Sequence, residues 1–299
     1  MFPGIINMDH IRCQFAGDDP AVQREAVDLL ARCFEVWAER KVAFKGRFPF
    51  REQSFVARNK SGVTVGHLGI IPFDVRSGKG DTISMAGVAS VAVAPEYRKL
   101  GIAGMLCQQA TIWAEQNHFA AMPLYTSVFR VYGKNHWQLA DPNGVLLKNP
   151  HPQSSSYGWK SGAELSCDEQ NFIRKLYDQR QDVAGWVVRT GDPYDAVSWQ
   201  RLFSKPGYLW YIHDSGYLLS VDGTLAEVCG DVPAECAGTD FAFLAAHDPA
   251  CAGLISAGWR DVSGDYPQPP CWEGEAVMNK VITPGMLPEN LFFPLPHKF

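Results

Sequence analysis

The sequence lacks most of the patterns by which common binding and targeting segments are recognised. None of its 8 cysteines belongs to a C-x-x-C pair, and no block of about five or six like-charged basic residues occurs. The net charge is −5, which argues against a nucleic-acid-binding protein because such proteins usually carry a basic excess. No segment approaches the roughly 18 uninterrupted apolar residues of a membrane-spanning helix, so none is expected.

The first residues also lack a charged segment followed by a long apolar one, so no secretory signal is expected. Cysteines spaced in this way are typical of free thiols in a reducing compartment rather than of a disulfide framework. We therefore expect a cytoplasmic protein. Its 299 residues, 46% of them hydrophobic, suffice for one large or two ordinary domains.

Several catalytic signatures are missing as well. The chain has no nucleophile elbow and no metal-ligand spacing, so a hydrolase or metalloenzyme has no support and no metal is expected. A Walker loop would need a Gly-Lys-Ser/Thr ending, and the dinucleotide fingerprint would need a G-x-G before a helix. Neither pattern is present.

The most informative segment is residues 91–106, VAVAPEYRKLGIAGML. Its first residues alternate like a strand, Pro95 ends that strand, and a helix begins near Gly101. The N–H groups and the dipole at the start of such a helix favour an anion. Arg98 and Lys99 add charge suited to a pyrophosphate. Small residues at 101, 103 and 104 let a ligand approach the main chain, although many strand–helix junctions carry small residues for packing alone.

This segment resembles the acetyl-CoA-binding motif of the GNAT acyltransferase superfamily, Q/R-x-x-G-x-G/A after a V-x-V-x-P strand end. Arg98, Gly101 and Ala103 occupy its key positions. A second segment, LYTSVFRVYGKNHWQLA, follows at the distance the superfamily expects and places Tyr132 on a short helix. It departs from the family pattern because Gly133 follows the tyrosine directly, and Asn-His-Trp stands where Gly-Phe is usual. The combination is similar to the enhanced-intracellular-survival family of tandem GNAT enzymes, over roughly residues 85–140.

The resemblance implies an α/β (α+β) architecture, the GNAT fold, in which a mixed and mostly antiparallel sheet is flanked by helices. Residues 1–150 are expected to form an acetyl-CoA-binding catalytic domain. The Pro- and Ser-rich stretch 149–158 is the clearest linker. Residues 157–299 weakly repeat the order of elements without the phosphate turn, which favours a degenerate GNAT-like second unit in tandem. From the remaining length we expect no third domain of the kind that the enhanced-intracellular-survival enzymes append.

Local patterns predict the elements around these motifs. Apolar residues at helical spacing predict one helix over 20–40, capped by Asp18 or Asp19. A helix over 101–117, a strand over 120–128 and a short helix near 130 should follow. In the second half, CDEQNFIRKLYDQRQ and PYDAVSWQRLF read as helices, and GYLWYIHDSGYLLSVDG reads as a hairpin turning at 214–216.

The resemblance implies direct transfer of an acetyl group from acetyl-CoA to an amine, with CoA as the co-substrate. Tyr132 would protonate the leaving sulfur, since a phenol with a reference pKa of about 10 is neutral near pH 7. The alternative for Tyr132 is a structural role, in which its ring packs in the core. The backbone near Val91 and Val93 would pair with the pantetheine arm and hold the thioester oxygen. The residues expected to bind the cofactor are Val91, Ala92, Val93, Arg98, Lys99, Leu100, Gly101, Ile102, Ala103, Gly104 and Ser127. For Ser127 two alternatives stay open, which are orienting Tyr132 and a purely structural place at the sheet edge.

The general base is left open by the sequence. The strand before the phosphate turn, where many family members carry a Glu, has no carboxylate. Glu96 in the turn and Glu35 and Glu39 on the first helix are candidates, although solvated side chains would explain all three. His67 fits a structural histidine better. The enhanced-intracellular-survival enzymes use their terminal carboxylate, which implies a catalytic role for Phe299.

Three further readings compete with an acetyl-CoA-dependent enzyme. Cys107 and a histidine could carry the acyl group by a ping-pong route, although packing explains this thiol better. The donor could be an aminoacyl or longer acyl group. The chain could also be a non-catalytic acyl-CoA-binding module that docks a partner through Tyr208, Trp210, Tyr211 and Tyr217, although such aromatics are more often core. The acceptor, a small amine or a protein lysine, is not identified. No nucleic-acid or membrane partner is expected.

Overall fold

The computed structural model describes residues 11–43, 48, 52–141, 143–152, 158–266 and 275–293. These residues form an α/β fold with two mixed sheets of seven strands each, flanked by helices. The predicted fold class is confirmed. In the described ranges, none of the helices combines the length and the apolar character needed to cross a membrane.

The first sheet has the strand order β1-β2-β3-β4-β5-β14-β6. The first half of the chain provides the elements β1 (Arg12–Gly17), α1 (Pro20–Cys33), α2 (Glu35–Ala43), β2 (Gln53–Arg58), β3 (Thr64–Arg76), β4 (Thr82–Val93), α3 (Ile102–Gln116), β5 (Ala121–Thr126), α4 (Phe129–Gly133) and β6 (Gln138–Leu139). Apolar side chains of α1 and α3 pack against this sheet and form one core with it.

The second sheet has the strand order β13-β7-β12-β11-β10-β9-β8. The remaining elements are β7 (Gly144–Lys148), β8 (Trp159–Ser161), α5 (Cys167–Gln179), α6 (Trp199–Ser204), β9 (Tyr208–His213), β10 (Gly216–Val221), β11 (Thr224–Gly230), β12 (Phe241–Ala245), α7 (Pro249–Ser256), β13 (Arg260–Asp261) and β14 (Ala276–Val281). A second core connects the two sheets, with Val75 and Met85 from the first packed among aromatic side chains of the second.

The two sheets repeat the same pairing pattern. In each, four strands pair antiparallel, the fourth pairs parallel with a fifth, and an antiparallel strand and a short edge strand complete the sheet. The sixth strand of each sheet comes from the other half of the chain: β14 pairs with β5, and β7 pairs with β12. Four strand pairs, formed by these two strands, therefore cross the predicted division between residues 150 and 157.

The first predicted helix is interrupted. Asp19 caps α1 as expected, with its Oδ1 accepting from the N–H of Ala21 at 2.7 Å. A single helix over 20–40 is wrong, because Phe34 takes an extended conformation at φ −141° and α2 starts directly after it. The break turns α2 so that Trp37 packs edge-on against Phe48, with ring centroids 5.4 Å apart.

The second half confirms two predicted elements and shortens a third. Helix α5 and the β9–β10 hairpin form where the sequence places them. The segment PYDAVSWQRLF is helical only from Trp199, because Ser198 caps the helix there with its hydroxyl accepting from the N–H of Arg201. In the hairpin, Trp210 and Tyr217 are 0% exposed, so these aromatics build a core and do not present a docking surface.

Candidate active site

A large cavity opens where β4 and β5 separate. The two strands pair in parallel only at Met85 and Ala121, and beyond that point they diverge. The space between them forms a cavity of about 1190 Å³, which is lined by residues 88–93 of β4 and residues 124–128 at the end of β5. Such a cleft can take an extended ligand against the free edge of β4.

An irregularity in β4 shapes one wall of this cavity. Ala92 pairs with His67 and Ala89 pairs with Gly69, so β4 has one extra residue between the two pairs. Ser90 lies in this bulge with a left-handed φ of 54°. Its carbonyl oxygen accepts a hydrogen bond from Nδ1 of His67 at 2.8 Å instead of completing the strand ladder.

The predicted phosphate turn forms the next wall. After a 3-10 turn at Pro95–Tyr97, Lys99 and Gly101 both take left-handed conformations, with φ of 65° and 80°. Helix α3 begins directly afterwards, and its first bond joins the N–H of Met105 to the oxygen of Gly101 at 3.1 Å. The three N–H groups before Met105 therefore remain available at the end of the helix where an anion is favoured.

The predicted cofactor residues converge on this cavity. Ten of the eleven line it: Val91, Ala92, Val93, Arg98, Lys99, Gly101, Ile102, Ala103, Gly104 and Ser127. Leu100 is the exception, because its side chain packs against the core of the first sheet. Arg98 is exposed, and its Nε donates to the carbonyl oxygen of Val93 at 3.2 Å, which holds the guanidinium at the mouth of the cavity.

Tyr132 also lines the cavity, from the short helix α4. Its ring packs edge-on against Trp137 with the centroids 6.2 Å apart. Burial raises the pKa of Tyr132 above its ordinary value, and the neighbouring Cys107 adds to the effect. The phenol is therefore fully protonated at neutral pH and can donate a proton to a group in the cavity.

A lysine from the C-terminal half supports α4. Lys280 lies on β14, and its Nζ donates to Oγ1 of Thr111 and to the carbonyl oxygen of Asn135, each at 3.1 Å. The ammonium also lies 4.9 Å from the ring centroid of Trp137. Because Trp137 contacts Tyr132, Lys280 on β14 helps to hold the tyrosine in position.

The cavity includes residues that the sequence analysis did not identify. The junction of α1 and α2 contributes an apolar wall, formed by Cys33, Phe34, Val36 and Trp37. Helix α4 and its C-cap contribute two cations one helical turn apart, Arg130 and Lys134. Other added residues include Ser90, Tyr97, Asn135 and Glu275. The i, i+4 spacing of Arg130 and Lys134 on the tyrosine helix was a usable signal. No sequence signal predicted the apolar wall, because this wall depends on the helix break at Phe34.

Most of the candidate bases do not face the cavity. Glu96 forms an ion pair with Arg32 at 2.9 Å, and hydrogen bonds from its own backbone N–H and from Arg32 lower its pKa. Glu35 and Glu39 are exposed on α2 and are not part of the cavity wall. His67 is fully buried beneath the bulge. Phe299 lies outside the described residues.

Cys107 does not fit the ping-pong reading. Its side chain is fully buried in α3, against the core of the first sheet. Burial raises the pKa of its thiol to about 12, so the reactive thiolate is suppressed near neutral pH. The packing role is the one that this environment favours.

Comparisons with known proteins place this geometry in context. Residues 21–140 match the family model described as Acetyltransferase (GNAT) domain, which confirms the superfamily predicted from residues 91–106. Streptothricin acetyltransferase A of Bacillus subtilis (strain 168) is 33% identical over 67 residues, which cover 21% of this chain and 39% of that protein. The match therefore spans well under half of this curated relative.

Two solved structures extend the likeness to both sheets. The GCN5-related N-acetyltransferase from Anabaena variabilis superposes with a TM-score of 0.60 and 17% identity, covering 94% of this chain and 75% of that chain. Eis1 from Mycobacterium abscessus gives a TM-score of 0.54 and 13% identity, covering 91% and 73%. At such identities the likeness shows a shared fold.

Proposed function

Given that residues 21–140 form a GNAT acetyltransferase domain, we propose that this chain transfers an acetyl group from acetyl-CoA directly to an amine nitrogen. The observation that carries the proposal is the joint placement of the phosphate turn, the open edge of β4 and Tyr132 on the wall of one cavity. The cavity is large enough for a pantetheine arm and an acceptor together.

The phosphate turn fits the pyrophosphate of CoA. The free N–H groups of residues 102–104 and the positive end of the α3 dipole favour negative charge, and Arg98 adds a charge-assisted donor. Lys99, Arg130 and Lys134 supply more cations around the same mouth. Beyond the phosphates, the main chain of residues 91–93 can hydrogen-bond an extended pantetheine arm as an added strand would.

Tyr132 supplies the proton that the leaving thiolate needs. Attack of the amine on the thioester carbonyl forms the C–N bond and breaks the C–S bond, and the departing sulfur gains the electron pair. A main-chain N–H near Val91 would hold the carbonyl oxygen as it becomes negative. The raised pKa of Tyr132 keeps its hydroxyl protonated at neutral pH. The attacking nitrogen loses a proton as the amide forms, and this proton restores the hydroxyl of Tyr132.

The acceptor is proposed by class, as a small-molecule amine or a protein lysine. The apolar wall formed by Phe34, Val36 and Trp37 lines the cavity and suits the carbon skeleton of an amine. Because the matched relative is named a streptothricin acetyltransferase, streptothricin belongs in the first panel, beside aminoglycosides, polyamines and lysine peptides. A donor panel separates acetyl from aminoacyl and longer acyl groups.

We assign the catalytic role to residues 1–150 and a supporting role to residues 157–299, through β14 and Lys280. A cytoplasmic location stays a prediction from the cysteine pattern.

The proposal is tested by titration calorimetry with CoA and acetyl-CoA, followed by thiol release from acetyl-CoA over the amine panel. We expect micromolar binding of both ligands and thiol release with at least one amine. No binding of either ligand at high micromolar concentration would contradict the proposal. Binding without thiol release over the whole panel would favour an acyl-CoA-binding module instead.

A further inference from the structure

A buried acid–imidazole pair lies directly beneath the β4 bulge. Glu52, directly before β2, and His67, on β3, both have side chains that are 0% exposed, with Oε1 and Nε2 3.3 Å apart. Gly69 makes room for the acid, because a Cβ at this position would overlap the carboxyl group of Glu52. Burying an acid in this way is costly, so such a pair is often functional.

The hydrogen bonds locate the protons of the pair. Nδ1 of His67 faces the carbonyl oxygen of Ser90 at 2.8 Å, and because a carbonyl only accepts, Nδ1 must carry a hydrogen. Nε2 then faces Oγ of Ser54 at 3.1 Å and the carboxyl group of Glu52. The contact between Nε2 and Oε1 is satisfied when one proton lies between them.

Burial favours the uncharged form of both partners. It raises the pKa of Glu52 to about 8 and lowers the pKa of His67 to about 4. Among the described residues the other side chains that meet the pair are uncharged: Ser54 on β2, Ser90 on β4, and Phe48, whose ring stacks on His67. Burial raises the pKa of Glu52, and the hydrogen bond from Ser90 partly opposes this effect.

Ser90 connects the pair to the cavity. Its hydroxyl donates to Oε2 of Glu52 at 3.1 Å, and Ser90 itself lines the cavity wall next to Val91. A hydrogen bond therefore connects Ser90, on the cavity wall, to Glu52, whose Oε1 lies 3.3 Å from Nε2 of His67. None of these three residues belongs to the phosphate turn.

We propose that Glu52 accepts the proton of the incoming ammonium through the hydroxyl of Ser90. The ammonium N–H bond breaks and an O–H bond forms on Oγ of Ser90, while the original hydroxyl proton of Ser90 moves to Oε2 of Glu52. The positive charge of the amine and the negative charge of the carboxylate disappear together. The neutral amine then attacks the thioester, and the proton later returns to cavity water by the same path.

This assignment rests on the proposed acetyl transfer and names the base that the sequence left open. Glu96 is engaged with Arg32, so it does not compete. The rival is Glu275, a carboxylate residue that lines the cavity directly. The two assignments of the base predict different results for the Ser90 variant, because only Glu52 acts through Ser90.

The test uses kcat and kcat/KM against pH for the parent and its variants, with acetyl-CoA and the best amine of the panel. Glu52→Gln keeps the hydrogen-bonding shape of the protonated acid but cannot accept a proton. Ser90→Gly removes the relay hydroxyl and suits the left-handed backbone. We expect both to lose about 10²–10⁴-fold in kcat, the range of general acid–base catalysis, with an unchanged Kd for CoA.

Matched controls come from a second acid–serine pair, which joins β3 and β4. The hydroxyl of Ser84 on β4 donates to Oδ1 of Asp74 on β3 at 2.6 Å, away from the cavity. Asp74→Asn and Ser84→Gly repeat the two substitutions there, and we expect parental turnover. The parental rate should rise with pH around a midpoint near 8, where Glu52 loses its proton, and Glu52→Gln should lack this rise.

A second measurement needs no acceptor. The pKa of Glu52 is raised from 4.5 to about 8 in the folded protein, so its contribution to stability is present at low pH and is lost as the pH rises to 8. Denaturant unfolding between pH 5 and 9 should therefore show the parent losing stability relative to Glu52→Gln up to about pH 8, with no further relative loss above it. His67 titrates below this window in the folded state.

Each outcome decides the proposal. Parallel stability curves, or parental turnover in Glu52→Gln and Ser90→Gly, would refute the relay while leaving the acetyltransferase proposal intact. A loss of turnover with an unshifted pH profile would show a structural role for Glu52 and refute the relay as well. A loss of turnover in Glu275→Gln but not in Glu52→Gln would assign the base to Glu275 and refute the relay. Absence of CoA binding and thiol release in the parent would overturn both proposals.

Discussion

Replacing Tyr132 by Phe should separate chemistry from binding at this site. The substitution removes one oxygen and keeps the ring, so the edge-on contact with Trp137 is retained. In the described ranges no side chain or backbone group hydrogen-bonds the Tyr132 hydroxyl. The unfolding free energy should therefore change by only about 0.5 kcal/mol or less. The Kd for CoA should also stay near the parental value.

The loss should appear in turnover. Without the phenol the sulfur must leave without a positioned proton donor, and general acid catalysis typically contributes about 10²–10⁴-fold. Each tenfold loss of rate corresponds to about 1.36 kcal/mol of activation free energy, so the expected loss corresponds to about 2.7–5.4 kcal/mol of transition-state stabilisation. Single-turnover thiol release with saturating acetyl-CoA measures this step, and calorimetry measures the Kd.

Tyr97 offers a matched control in the same cavity. Its hydroxyl accepts a hydrogen bond from Nδ2 of Asn59 at 3.0 Å, and its ring lines the cavity wall. Tyr97→Phe should cost about 0.5–1.5 kcal/mol of stability and leave turnover near the parental value. If Tyr132→Phe retains turnover within a few-fold of the parent, or if both variants lose it equally, Tyr132 is not the proton donor.

Three further changes test the site and its support. Arg98→Ala should weaken CoA binding about 10- to 100-fold, because it removes a charge-assisted contact of about 1.5–3 kcal/mol; an unchanged Kd in calorimetry would reject the phosphate assignment. Gly66→Ala should lower the unfolding free energy by about 1–3 kcal/mol, since a Cβ there would lie 2.8 Å from Cγ2 of Ile102 and push α3 from the sheet; an unchanged thermal midpoint would contradict this packing. Iodoacetamide at pH 7.5 should alkylate the exposed Cys167 well before Cys107, whose pKa burial raises to about 12; rapid labelling of Cys107 in the folded protein, seen by peptide mass mapping, would contradict its burial.

The parts of the site that the sequence predicted are local in the chain. The end of β4, the turn and the start of α3 lie within one short segment, where Pro95 and Gly101 fix the backbone. The same holds for Tyr132, which follows β5 after a few residues. Such elements can be predicted from a sequence pattern, because their conformation depends on residues that are close together in the chain.

The parts that were missed depend on contacts between distant segments. Glu52 has no motif of its own, and its burial requires Gly69 on β3 and the bulge at Ser90 on β4. Lys280 reaches the tyrosine helix only because β14 crosses to the first sheet. Phe34 could not be identified as a helix break, because neither proline nor glycine marks it and the packing of Trp37 decides it.

The reciprocal exchange of β7 and β14 has a consequence for biosynthesis. β5 forms one wall of the cavity, and its outer partner β14 pairs Ala276 with Thr126. On a ribosome that adds about 5–20 residues per second, the nascent first sheet has an unpaired β5 edge for on the order of ten seconds or longer. During that time the exposed edge is open to wrong pairing between chains. A stalled or truncated product that ends near residue 150 would therefore aggregate rather than accumulate as a smaller folded protein.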